Sequence, residues 1–348
     1  MGSPASRYAN QLRLELRLRN LCFARGRAHV ESYGNPPVIV YEPDCERHGN
    51  FFDPAYTAII SRPEWARRFD KVHTQAARSL PRQQLDPKRR WRELDSSTSS
   101  DALLMNIFCA PEVAASAAVC NALGVESSSE PVFGWRARVP LASGRFDRTE
   151  VDMKLGSLLV EAKLTEGDFQ MREARIVEAY RDFDEVFDRD LLPRVELTSV
   201  RRKDAVEFPE AFSQEHESII DSTMPLETMR ELQENSASVI AAEEFNAARP
   251  SEEGYLGYQL IRNVLAAHAT GSSFCVLHDE RRPDLREEWF CVMSAVKTAD
   301  LRMRLKVLTW QELSAFLPGD LQEFLDLKYG IVAPGKTSSP IEGMPESD

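Results

Sequence analysis

Between Pro131 and Leu164 the apolar residues return at every second position: Phe133 and Trp135, then Val151 and Met153, then Leu158, Val160, Ala162 and Leu164. A period of two belongs to a strand and to no helix, so this stretch commits the chain to a sheet. The Lys154-Leu155-Gly156-Ser157 break then predicts a hairpin. On its second strand Glu161 and Lys163 share a face opposite Leu158, Val160, Ala162 and Leu164. On its first, Glu150 and Asp152 oppose Val151 and Met153. Cross-strand neighbours lie roughly 4.5–8 Å apart. One face is therefore expected to be core, and the other to carry two or three carboxylates and an ammonium.

Carboxylates at that separation repel one another unless a cation sits between them. Mg²⁺ takes oxygen ligands and keeps several waters, which suits a metal that also engages a phosphate. A neighbouring lysine can hold the attacking water and offset charge growing on the phosphorus oxygens. The chemistry implied is metal-assisted phosphodiester hydrolysis, with Mg²⁺ or Mn²⁺. An amphipathic hairpin with one solvated face shows the same residues, and the pattern by itself leaves both readings open.

Elsewhere the chain alternates helical and extended signals. Gln11–Val30 favours helix, Val38–Tyr41 is extended, and Ala58–His73 is helical. Pro81–Ser100 is a polar, basic linker or mobile loop, and Asp101–Leu123 forms one helix or two. Glu166–Ala248 is acidic and helix-prone, and is expected to be a helical insertion or lid. A helix over Tyr255–His268, strands at Ser273–Leu277, Trp289–Met293 and Leu305–Thr309, and a helix over Trp310–Lys328 complete the folded part. The expected organisation is a mostly helical extension over 1–95, an α/β domain over 96–332 with an acidic insertion at about 170–250, and a disordered tail over 333–348.

The net charge of −12 excludes a protein that coats nucleic acid by bulk attraction. Its basic residues are clustered, however, and the block Lys88-Arg89-Arg90-Trp91-Arg92 is a candidate backbone grip through Arg89, Arg90 and Arg92. Six cysteines lack zinc-ligand spacing and read as reduced thiols in a cytosolic protein. No apolar run reaches a membrane span, and no signal-peptide core is visible. The first residues fit the loose myristoylation pattern at Gly2, as they fit an ordinary polar leader.

Val151-Asp152 followed by Val160-Glu161-Ala162-Lys163 resembles the PD-(D/E)xK nuclease motif, with valine in the usual place of proline. The wider pattern is similar to bacterial restriction-endonuclease-like proteins of that superfamily. It includes Trp91, the segment Ser99-Ser100-Asp101-Ala102-Leu103 with Asn106, Glu166, and Tyr258-Gln259-Leu260-x-Arg262, and spans about residues 50–330. The resemblance implies a central four-stranded mixed sheet flanked by helices, in the order α-β-β-β-α-β, with Tyr255–His268 as crossover helix. It makes Asp152 and Glu161 the metal ligands and Lys163 the residue that activates or positions water. Glu166 and Gln170 join them as a further acid and a substrate or water contact, with a helix-start role equally open for Glu166. Glu150 is an outer ligand or a solvated strand charge. Gln259 and Arg262, expected on the polar side of the crossover helix, are phosphate-backbone contacts or, for Arg262, a surface ion pair.

The leading expectation is a Mg²⁺-dependent deoxyribonuclease acting on DNA in the cytoplasm without membrane contact, with a homodimer left open. The competing expectations are a catalytically silent nuclease-like module that binds nucleic acid or protein, and a helical interaction protein whose hairpin is incidental.

Overall fold

The computed structural model describes residues 4–32, 37–44, 46–72, 92–126, 129–197 and 252–340. Its centre is a five-stranded mixed sheet in which spatial order follows chain order: β1 (Pro131–Arg136), β2 (Glu150–Leu155), β3 (Leu158–Ala162), β4 (Ser273–His278) and β5 (Leu305–Thr309). The first three run antiparallel, and β3, β4 and β5 run parallel. The sheet therefore has five strands rather than four, because Leu305–Thr309 pairs along the full length of β4.

The hairpin forms where the sequence places it. Met153 pairs with Val160 and Leu155 with Leu158, and the two-residue turn opens on Gly156 at φ +58°, where a Cβ would strike Ser129 Oγ. The charged face is covered on β3, while Glu150, Asp152 and Lys154 of β2 are half-buried. Met153, Leu155, Leu158, Val160, Cys275 and Leu277 pack into one cluster with helix α2 (Ser100–Phe108). Val151, Leu159, Phe274 and Val276 join a second cluster with the crossover helix α3 (Tyr258–Thr270) and α4 (Pro283–Ser294). A strand in the middle of a parallel run is buried on both faces, and every residue of β3 is buried. Along β2 buried Val151, Met153 and Leu155 alternate with half-buried Glu150, Asp152 and Lys154 as expected, although Val151 and Met153 fall in different clusters.

Several boundaries move. Trp289–Met293 is helix, not strand: Pro283 starts α4, and Leu285, Trp289 and Val292 recur at helical spacing on its buried side. A run of aromatic and apolar residues this short looks alike in either state. Asp101–Leu123 resolves into α2 and Ala117–Leu123, and Trp310–Lys328 into Trp310–Ser314 and α5 (Gly319–Tyr329), which Pro318 separates. In the segment expected to be a helical insertion, the described part carries strands Met171–Glu173 and Arg194–Leu197, paired with Glu252–Leu256, and only four-residue helices between them. Residues 198–251 lie outside the described residues. Ser338 and Ser339 donate to Asp326 of α5, so this part of the expected tail is held against the fold, and residues 341–348 lie outside the described residues.

N-terminal elements share the first core. Leu12 and Leu16 of α1 (Pro4–Phe23) pack with Phe51, Ile59 and Trp65, and Asn20 donates to Lys328 O at 3.1 Å. Among the described residues no helix is long and apolar enough to cross a membrane.

Candidate active site

The hairpin ladder ends where Met153 pairs with Val160, and Asp152 and Glu161 are the next residues on the two strands. Asp152 Oδ2 accepts from the Ala162 amide at 2.8 Å, which ties its carboxylate to β3 next to Glu161. Lys163 continues β3, with its amide bonded to Leu277 O at 2.8 Å and its carbonyl accepting from Trp310 Nε1 at 2.9 Å. Its Nζ donates to Glu161 Oε1 at 2.7 Å, and the other oxygen, Oε2, accepts from Asn263 Nδ2 at 2.7 Å. Glu161 and Lys163 are 2% and 5% exposed, so this is a charged pair inside the protein and not on a wet surface.

The electrostatics follow from that enclosure. Burial, then Glu161, then Asp101 push the Asp152 carboxyl up to about 8. Burial opposes the charge of Lys163, but Glu161, Glu166 and Asp152 outweigh it and raise the ammonium above its ordinary value. A lysine so held donates hydrogen bonds and does not take protons at neutral pH.

Other candidates fall into place around this pair. Glu166 starts no helix. Its Oε2 accepts from the Leu164 amide at 2.6 Å and its Oε1 from Ser100 Oγ, which joins the loop after β3 to α2. Gln170 is exposed and adopts φ +62°, unusual for a residue with a side chain, while its carbonyl accepts from Tyr258 N at 2.9 Å. Glu150 is half-exposed and ion-paired with Arg68 at 3.1 Å and Arg136 at 3.4 Å. Arg262 does not lie on a solvated helix side. It is buried, donates to Glu150 O at 2.9 Å and reaches Asn263 Oδ1, and so ties α3 to β2. Gln259 is half-buried, with Oε1 enclosed and lacking a hydrogen-bond partner. Arg92 is exposed and forms a backbone bridge with Val72; Arg89 and Arg90 lie outside the described residues.

The fold also brings in residues that were not singled out as site candidates. Asp101 of α2 is buried and binds Arg68 at 2.7 Å and Lys71 at 2.9 Å. Burial works against its ionisation, yet Lys71 and Arg68 hold it well below the ordinary carboxylate range. Asn263 orients Glu161, and its neighbour Arg262 offered the nearest signal in the sequence. Arg282, fully buried, donates to Glu166 O at 2.6 Å and Gly167 O at 3.0 Å, and pairs with Asp284. It fixes the loop that follows Lys163. On α4, Glu288 accepts from Phe169 N at 3.5 Å, and burial followed by Asp168 pushes it up to about 7.

Among the described residues no three His, Cys, Asp or Glu side chains form a ready-made metal cage. What is present is a pair of carboxylates, Asp152 and Glu161, on adjoining strands beside a held ammonium. A hard cation that retains most of its waters needs no more than such a pair. A cavity of about 610 Å³ opens elsewhere, lined by Phe23, Arg27, His48, Phe52 and Phe324, and none of the site candidates borders it.

A family model described as Restriction Endonuclease associating with ARP matches residues 19–330. The comparisons with curated proteins and with solved structures gave no match.

Proposed function

We propose that this chain, which belongs to the family of restriction endonucleases associating with ARP, is a Mg²⁺- or Mn²⁺-dependent nuclease that hydrolyses DNA phosphodiester bonds. The observation that carries this reading is the placement of Asp152 beside Glu161-Ala162-Lys163 on the neighbouring strand, where burial and then the Glu161 charge raise the Asp152 carboxyl. The succession α2, β1, β2, β3, α3, β4 supports a restriction-endonuclease-like core, to which β5 is added beside β4.

Asp152 and Glu161 would hold the divalent ion, which supplies Lewis-acid stabilisation of the phosphate and lowers the pKa of a water. Asn263 fixes the orientation of Glu161, as outer hydrogen-bond partners do for metal-binding side chains. Lys163 stays charged and donates, so its part is to position water and to stabilise charge gathering on the phosphate oxygens. Asp152 must lose its proton before it can serve as a ligand.

The test is cleavage of linear, circular and single-stranded DNA with Mg²⁺ or Mn²⁺ by the parent and by Asp152→Ala, Glu161→Ala and Lys163→Ala. Cleavage by the parent, lost by about 10²-fold or more in each variant while the fold persists, supports the reading. A parent that cleaves none of these substrates, or variants as active as the parent, would sink it. One observation favours the silent-module alternative: both Glu161 oxygens are occupied by protein donors. That alternative expects DNA binding without cleavage, indifferent to Asp152→Ala.

A further inference from the structure

Arg68 reaches the site over a strand that makes room for it. Its Nη2 donates to Asp101 Oδ2 at 2.7 Å and its Nη1 to Glu150 Oε2 at 3.1 Å. The guanidinium thus bridges α2 and β2 immediately beside Asp152. Between them passes Gly134 of β1 at φ +62°, where a Cβ would collide with Arg68 Nη1 and press on Glu150 Oε2. Lys71 Nζ donates to the same Asp101 oxygen at 2.9 Å. Two fixed positive charges, one of them only 12% exposed along its side chain, therefore stand against the two outer carboxylates.

We propose that Arg68 does permanently what a second divalent cation would do, so that this site loads one cation and not two. This rests on the nuclease reading. Asp101 and Glu150 are ion-paired with Lys71 and Arg68, while Glu161 feels the charges of Lys163 and Arg262 and Asp152 that of Lys163. One divalent ion already makes that set positive, and a substrate phosphate offsets the excess. A second ion would have to displace Arg68 or Lys71 from Asp101 and Glu150, or add to that excess, and like charges repel. Arg68 is a positioning residue in this scheme: it keeps Asp101 and Glu150 out of the metal's shell. Gly134 is the backbone condition for it.

The experiment is a calorimetric titration of the full chain with Mn²⁺, run without DNA, on the parent and on Arg68→Ala, Arg68→Lys and Gly134→Ala, each checked for its fold by circular dichroism. The parent is expected to bind one ion per chain. Arg68→Ala and Gly134→Ala are expected to take up a second ion, or to bind the first about tenfold or more tightly, in the range that outer partners of metal sites command. Arg68→Lys, which keeps a cation on Asp101, should stay at one. Two ions in the parent, or affinity and stoichiometry unchanged in both Arg68→Ala and Gly134→Ala, overturn the proposal and leave the nuclease reading intact. No binding in the parent or any variant overturns the nuclease reading and this inference with it. The parent's stoichiometry alone decides the matter if a variant fails to fold.

Discussion

Asp152 stands between two other acids, and its proton records that. Folding raises its pKa from 3.8 to about 8, so without a cation the folded chain holds a proton that the unfolded chain has already lost. Stability from this group is therefore complete below the ordinary carboxylate pKa and falls as the pH climbs towards about 8. Urea unfolding in the presence of a chelator is expected to show that decline in the parent and a flatter profile in Asp152→Asn. Cation affinity should run the other way and increase with pH until the proton is gone, because metal and proton compete for one carboxylate. Asn263 acts one bond further out. Asn263→Ala frees Glu161 Oε2 and strands the Arg262 donors, and is expected to weaken Mn²⁺ binding by about 10–100-fold and to lower the unfolding midpoint, as read by calorimetry beside a melt.

At the level of elements, two buried cations join parts distant in sequence. Arg282 fastens the loop 164–167 from the start of α4, and truncation strands Asp284 and three loop carbonyls. Arg282→Ala is expected to cost about 3–5 kcal/mol in chemical denaturation. Lys328 of α5 is the opposite case. Its Nζ lies fully buried, donates to Asn20 Oδ1 at 2.8 Å, and sits 4.6 Å from the ring centres of Tyr41 and Tyr329, and burial drives its pKa well down. A depressed lysine pKa means that stability is full above the ordinary ammonium value and is lost as the pH falls through the folded one. Tyr41 also donates to Asn20 Oδ1, so that acceptor stays satisfied when the amine is removed. Lys328→Met is thus expected to stabilise the protein at neutral pH by about 1 kcal/mol or more and to remove this part of the alkaline slope in urea midpoints.

For the molecule as a whole, a net charge of −12 means that the proposed DNA substrate would have to be held by local cations against a repulsive field. Binding of a DNA duplex, followed with catalytically impaired Asp152→Ala, is expected to weaken linearly on a plot of log affinity against log salt. Its slope counts the phosphates that are gripped. A flat plot would mean that DNA is not held through its phosphates.

The hairpin, its turn and the strands at Ser273 and Leu305 were legible because a period of two is a local property, carried by neighbours in the chain. The pairing of Asp152 with Glu161-x-Lys163 was legible for the same reason, since only a two-residue turn separates the strands. Trp289–Met293 was misread because five apolar residues fit either period, and only the longer spacing of Leu285, Trp289 and Val292 identifies the helix. The sequence by itself thus determined which residues form sheet and which charges share the hairpin. Tertiary structure alone decided that Glu161 and Lys163 are enclosed, that Asp101, Arg68 and Lys71 come to β2 from segments tens of residues away, and that Arg262 is a brace between α3 and β2. Long-range contacts of this kind depend on how helices cover a sheet, and no local periodicity encodes which helix brings which charge.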